Sequence, residues 1–356
     1  MADANKANRV REMFDSVREK PESFGEYLDC YADQVGDLVN SFIVRSDHPG
    51  INEYLYDPWI RYSRNGGKRH RPLIAFASCQ AVGGDVDRAL SAAAAIEHFH
   101  SAALVHDDIA DEGELRRGEP CLHHSLGLGL AINVGDLGLS CMVEETVLED
   151  GLLDDATKVR ILKELSRMTR ATIEGQALDI GWARDERYDI GVEDYLTMAT
   201  RKTAQYSAAV PLVVGAIAGG AGDGEVEALR SFGLAAGLAF QIQDDLLNLL
   251  GEKGAKKKDF RSDITEGKRT LVVVHALQHS SRRDRLVEIL SSKEKDAAVL
   301  QEAVDIMTDS GSIDFALEYA RGIVDRAKEG LVASIAPSQF RDLLLSMADW
   351  SVSRLI

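Results

Sequence analysis

Residues 95–118 read AIEHFHSAALVHDDIADEGELRRG. An apolar run with helical character comes first, then Asp107, Asp108, Asp111, Glu112 and Glu114 fall within eight positions, and Arg116 and Arg117 follow. In an α-helix, residues four apart lie on one face about 5.4 Å from each other. Asp107 and Asp111 therefore share a face, and Asp108 lies about 100° around the helix. Like carboxylates at this spacing destabilise an isolated helix by a few tenths of a kcal/mol. A divalent cation removes the conflict, since Mg²⁺ takes oxygen ligands and is commonly held by one or two carboxylates together with substrate phosphates. Alone, the cluster is compatible with a solvated acidic turn as well as with a metal site.

A second stretch narrows the choice. FQIQDDLLNLLG, residues 240–251, repeats the arrangement as Asp244, Asp245 and Asn248 on what reads as a buried helix. Carboxylates rarely lie unpaired in such surroundings, so a metal or a cationic partner is expected. Two such helices facing one another would form a cage in which Mg²⁺ bridges both walls to a diphosphate. Basic residues complete the pattern: GGKRHRP (66–72) offers Lys68, Arg69 and Arg71 after a glycine pair that lets the backbone approach a ligand. Arg116 and Arg117 follow the first cluster, and Lys202, Lys258 and Lys268 punctuate the second half. Guanidinium groups suit bidentate phosphate contacts.

The rest of the chain supplies the frame. Its 356 residues, 45% hydrophobic, can bury a sizeable core, and the net charge of -17 argues against nucleic acid or an anionic membrane face as a partner. An anionic substrate must then be held by a local reversal of charge, which the basic residues above provide. Ala, Leu and charged residues dominate and period-two alternation is nearly absent, so the chain reads as all-α. Turn signals at 46–50, 65–67, 83–84, 118–120, 219–224 and 251–254 divide it into helices, and none resembles an interdomain linker. The uncharged run from Thr203 to Gly222 is interrupted by Pro211 and reads as a buried helix, not a transmembrane segment. Cys30, Cys79, Cys121 and Cys141 are widely spaced, without a CxxC pair, as expected of thiols in a reducing cytoplasm. The N-terminus lacks the apolar centre of a signal peptide and reads as a solvated helix.

At this point the sequence resembles the trans-type polyprenyl diphosphate synthases, in particular those making geranylgeranyl and longer diphosphates. The likeness rests on six motifs in order: GGKRHRP (66–72), the 95–118 stretch, EGQALD (174–179), RKT (201–203), FQIQDDLLN (240–248) and SDITEGKRTL (262–271). The resemblance implies a single isoprenoid synthase domain over 1–356, an all-α bundle of long antiparallel helices around a deep central cavity, with the first ~25 residues a peripheral helix. It also implies a homodimer. Carried over by position, Asp107 and Asp111 are ligands for two Mg²⁺ ions with Asp108 in support, and Asp244 is a ligand for a third. Lys68, Arg71, His100 and Arg117 match positions that hold the diphosphate of isopentenyl diphosphate. Arg116, Lys202, Thr203 and Lys258 match those at the allylic diphosphate, with Gln241 nearby. Gln176 and Asp179 match a further motif. Two positions depart from the pattern: Asn248 stands where many relatives have Asp, and an amide would act through water or a hydrogen bond. Arg261 stands where relatives often have Gly.

The implied chemistry is ionisation of the allylic diphosphate, attack by the isopentenyl double bond, and proton loss, with preorganised charge supplying most of the acceleration. Product length depends on what blocks the cavity below the first cluster. One helical turn, about 5.4 Å, is close to one isoprene unit. The positions four and five before Asp107 are Ala103 and Ala102, too small to stop a short chain, which leaves Phe99 and Ile96 as floors and a product of about twenty to twenty-five carbons, geranylgeranyl or geranylfarnesyl diphosphate. Two other readings remain: a class I terpene cyclase, which needs no second diphosphate site, and a silent subunit that modulates a synthase partner.

Overall fold

The computed structural model describes residues 2–16, 20–251, 261–292 and 296–353. Among these, every regular element is helical except one two-residue antiparallel ladder, Leu115–Arg116 against Glu119–Pro120. The ladder was not expected from the sequence. The chain gathers into two compact units: one comprises 1–166, 210–230 and 334–346, the other 167–209, 231–333 and 347–356.

In the first unit the Leu90–Ala110 helix is central. Residues Leu90 to Ala102 are all buried, and it packs against His70–Ala81, Leu128–Asp136, Leu137–Met142 and Val143–Leu148. Its first thirteen residues are thus covered on every side, and the small side chains of Ala92 to Ala95 let its neighbours come close. The His70–Ala81 and Val210–Ala218 helices are in closer contact still. A Cβ on Gly215 would lie 2.1 Å from the Ala75 carbonyl oxygen, and the Ser78 hydroxyl donates to Leu212 O at 2.6 Å. Beside the last turns of Leu90–Ala110 lies a cluster of Trp59, Tyr62, Ala102, Val105, Leu122, Ala131, Val134, Leu137 and Met142. The N-terminal helix, Ala2–Asp15, is more than a solvated one: Ala7, Val10 and Met13, spaced by three, are buried, and Phe14 packs on Tyr31 and Phe76.

In the second unit, residues Thr200–Ala209 form a ten-residue π-helical stretch. A Cβ on Gly175 would meet the Lys202 nitrogen at 2.3 Å, and one on Gly237 would meet the Ala204 Cα at 2.8 Å. The wide stretch is thus clasped by a glycine on each of two neighbouring helices, Asp155–Arg184 and Asp223–Leu250. Such widened turns are frequent where side chains must be aimed at a site. The run Thr203–Gly222 is helical as far as Ala218 and largely buried, and among the described residues no helix is long and apolar enough to cross a membrane.

Close approach at Gly215 gives a prediction with an internal control. Gly215→Ala should lower the unfolding free energy by about 2–3 kcal/mol in urea titrations, because the added methyl meets a backbone oxygen. Gly330→Ala, at an exposed helical position with open space around it, should raise it by up to about 1 kcal/mol.

Candidate active site

The Leu90–Ala110 helix ends in a Schellman turn. The Asp111 N–H donates to Asp107 O at 2.8 Å, Glu112 N–H to Ile109 O at 3.3 Å and Gly113 N–H to Asp108 O at 2.9 Å, with Glu112 left-handed at φ 49°. Asp107, Asp108 and Asp111 therefore sit at the C-terminal end of the helix, where the dipole disfavours anions and favours cations. This adds to the repulsion among the carboxylates themselves. Asp107 is partly buried and Asp111 exposed, whereas Asp108 is only 2% exposed. Its Oδ2 accepts from the Tyr62 hydroxyl at 2.9 Å, and its Oδ1 from Arg116 Nε at 2.7 Å and Nη2 at 2.5 Å. Burial, with the Asp108 charge beside it, raises the Tyr62 pKa, so the phenol stays a neutral donor. Among the described residues no three His, Cys, Asp or Glu are grouped to hold a metal by themselves. Two carboxylates at a helix C-terminus nevertheless fit Mg²⁺ arriving with a diphosphate, because that ion takes few protein ligands and completes its shell with phosphate oxygen and water.

The basic side chains of this unit are arranged by the GGKRHRP loop and the small hairpin. Arg117 and Gly118, at φ 52° and 86°, are the two turn residues between the paired Arg116 and Glu119, the pattern of a type I′ hairpin. Arg117 Nη1 donates to the carbonyls of Asn65 and Gly66, both at 2.7 Å. A Cβ on Gly67 would lie 2.9 Å from Arg117 Nη2. The glycine pair thus makes room for an arginine of the protein, where the sequence suggested room for a ligand. Lys68 is exposed and Arg71 is buried. Arg69 turns inward, left-handed at φ 48°, to a buried ion pair with Glu97 at 2.6 Å. His100 is buried, and burial, together with the charges of Arg71, His70, Arg117 and Arg69, holds its pKa well below the ordinary value. His98, wholly buried near Trp59, is lowered to about 3 by burial and by Arg69.

The second unit repeats the theme. Asp244 is partly buried, and Asp245 is 9% exposed. The Tyr195 hydroxyl donates to Asp245 Oδ2 at 2.8 Å and Gln241 Nε2 to Oδ1 at 2.7 Å. Burial and the nearby Asp263 charge raise the Asp245 pKa against those hydrogen bonds. A cavity of about 70 Å³ is lined by Asp179, Tyr195, Lys202, Thr203, Gln241, Asp245, Asp263 and Lys268, among others. Lys202 Nζ is paired with Asp179 and Arg201 with Glu174, so RKT and EGQALD meet, and Gly175 of the latter permits the close approach. Arg269 is committed to the carbonyls of Arg187, Gly267 and Trp182. Lys258 lies outside the described residues.

A family profile for polyprenyl synthetase matches residues 52–307. The chain belongs to this family. It is 40% identical over 330 residues to a short chain isoprenyl diphosphate synthase of Methanothermobacter thermautotrophicus, covering 90% of this chain and 99% of the relative. Among solved structures it resembles the geranylgeranyl pyrophosphate synthetase of Pyrococcus horikoshii, with a TM-score of 0.83, 32% identity and 93% and 98% of the two chains covered. It also resembles a polyprenyl synthase of Caulobacter crescentus in complex with calcium and isoprenyl diphosphate, with a TM-score of 0.78, 30% identity and coverage of 94% and 99%. The fold is the all-α isoprenoid synthase fold, and the chain is a prenyltransferase.

Both departures from the polyprenyl synthetase pattern have structural reasons. Asn248 uses both ends of its amide: Nδ2 donates to Ser262 Oγ at 2.9 Å and Oδ1 accepts from the Asp263 N–H at 3.2 Å. Arg261 is left-handed at φ 59°, a conformation glycine adopts without strain, and its Nη2 donates to Gln301 at 2.8 Å. On the Leu90–Ala110 helix, Asp107 and Ala103 are partly accessible while Phe99, Ile96 and Ala102 are buried. The accessible strip thus stops one turn below Ala103, at Phe99.

The two buried imidazoles set a pH dependence. Each has a folded pKa below the unfolded value of about 6.5, so the unfolded chain takes up protons that the folded chain refuses. Their contribution is complete above about pH 6.5 and is lost as pH falls toward the folded values. His98→Leu should flatten the fall in unfolding free energy between pH 6.5 and 4 by about 1.4 kcal/mol per pH unit relative to the parent chain, read from denaturant titrations.

Proposed function

We propose that this prenyltransferase condenses isopentenyl diphosphate with an allylic diphosphate, head to tail and in trans, to give geranylgeranyl or geranylfarnesyl diphosphate. The observation that carries the reading is the doubled Asp–Asp arrangement. In each pair the second aspartate is buried and taken up by a tyrosine hydroxyl, and the first is left at the accessible side. Asp107, Asp111 and Asp244 would hold up to three Mg²⁺ ions. When bound, these supply positive charge to the departing diphosphate. The chain 1–356 is taken as one isoprenoid synthase domain.

The protein's own groups account for the rest. Lys68, Arg71 and Arg117 grip the isopentenyl diphosphate, and neutral His100 can donate one hydrogen bond to it. Arg116, aimed by Asp108, and Lys202, aimed by Asp179, grip the allylic diphosphate with Thr203, Gln241 and Lys258. As the allylic C–O bond breaks, these fixed cations meet the charge that develops on the leaving oxygen, at no cost in reorganisation. The isopentenyl double bond attacks the allylic cation, and the proton then lost goes to the released diphosphate. The apolar side chains beneath Asp107 exclude water that would quench the cation. Phe99 and Ile96, with Ala102 and Ala103 above them, set the depth available to the growing chain.

The working enzyme is taken as a cytoplasmic homodimer. Cys30, Cys79, Cys121 and Cys141 form no disulfide, as suits a reducing compartment. Leu128 and Ile132, one turn apart on the Leu128–Asp136 helix, expose 57% and 38% of their surface, an apolar face suited to a second copy.

Incubation with labelled isopentenyl diphosphate, each allylic primer and Mg²⁺, followed by chromatography of the dephosphorylated products, tests the reading. The parent chain should consume isopentenyl diphosphate and stop at about twenty to twenty-five carbons, and Asp107→Ala should lower kcat at least about a hundredfold. Phe99→Ala should lengthen the product by at least one isoprene unit. A chain that cyclises an allylic diphosphate without consuming isopentenyl diphosphate would replace this reading with a cyclase.

A further inference from the structure

We propose that Asn65, which lies outside every motif, is a positioning residue that sets the Arg116–Arg117 peptide and thereby aims Arg117 at the isopentenyl diphosphate. The inference rests on the assignment of Arg117 given above. Asn65 caps the Asp57–Arg64 helix, and its backbone, at φ -73° and ψ 69°, is that of an inverse γ-turn closed by Gly66 N–H to Arg64 O at 2.7 Å. The turn places the Asn65 and Gly66 carbonyls together, and Arg117 Nη1 donates to both.

The side chain of Asn65 makes the reciprocal contact. Its Nδ2 donates to the Arg116 carbonyl at 3.3 Å. That carbonyl belongs to the peptide that enters Arg117, whose φ of 52° is a conformation a β-carbon-bearing residue adopts only under constraint. One segment thus holds the arginine at both ends: backbone carbonyls hold the guanidinium, and a side-chain amide holds the peptide. Arg116, on the other side of the same peptide, is fixed independently through Asp108. Loss of the amide should therefore disturb Arg117 more than Arg116.

This asymmetry makes the role measurable. Asn65→Ala should raise the KM for isopentenyl diphosphate about three- to tenfold, the range expected for one lost hydrogen bond, with the KM for the allylic diphosphate and kcat changed less than about twofold. Asn65→Asp, which loses the donor and sets a negative charge against the Arg116 carbonyl, should weaken isopentenyl diphosphate binding at least as much as Asn65→Ala, and Asn65→Gln, which keeps a donor, should recover part of the loss. Calorimetric binding of isopentenyl diphosphate without primer gives a second readout, in which Asn65→Ala should weaken the parent's affinity by the same factor. Equal rises in both KM values, or unchanged isopentenyl diphosphate binding in Asn65→Ala, would overturn the proposal. A parent chain that binds isopentenyl diphosphate but forms no longer product would end the functional reading, and the binding comparison would still decide the role of Asn65.

Discussion

The organising constraint is the burial of one carboxylate in each aspartate pair. Asp108 and Asp245 are both nearly inaccessible, and each has both oxygens occupied: Asp108 by Tyr62 and Arg116, Asp245 by Tyr195 and Gln241. A buried carboxylate without such partners would cost several kcal/mol. With them, it becomes an anchor that fixes the rotamer of its own helix end and leaves Asp107 and Asp244 at the accessible side. The two members of each pair are thus distinguished: the inner aspartate is tied to the protein, and the outer one sits at the accessible side.

The same logic governs the positive charges. In a chain of net charge -17, arginines near carboxylates could collapse into surface ion pairs worth little. Here several are instead bound to fixed acceptors: Arg69 to Glu97, Arg116 to Asp108, Arg117 to two carbonyls of the glycine loop, and Lys202 to Asp179. Arg69, bonded to Glu97 and the Ser63 carbonyl, and Arg269, bonded to three backbone carbonyls, hold loops in place. Others are held at one side and can still present donors from the other. Cations held in place in this way would cost no reorganisation on meeting an anion, which is the condition for strong electrostatic catalysis.

Much of this was legible in the sequence because it is periodic or local. The absence of alternation gave the helical class, the DDxxD and DDxxN spacings gave the acidic faces, and the six ordered motifs gave the family. What escaped depends on residues far apart in the chain. Tyr62 and Tyr195 carry no local signal, since their partners lie 46 and 50 residues away. The hairpin at Arg117–Gly118 lacks the Asn-Gly or Asp-Gly pair that usually announces a type I′ turn. Gly67 looked like a ligand contact because the arginine that fills its space comes from another loop; the hydrogen-bonding role expected of Asn248 was legible, but not its partners, Ser262 and Asp263, which lie in the next element.

On the proposed function, Asp107 and the fixed cations of its own unit together recognise a metal–diphosphate complex, neither component sufficing alone. Calorimetric titration of the intact protein with inorganic pyrophosphate, in Mg²⁺ and again in EDTA, tests this directly. Binding should be at least about tenfold tighter with Mg²⁺, a coupling of about 1.4 kcal/mol or more, and the gain should disappear in Asp107→Asn. Equal affinity in Mg²⁺ and in EDTA would contradict it.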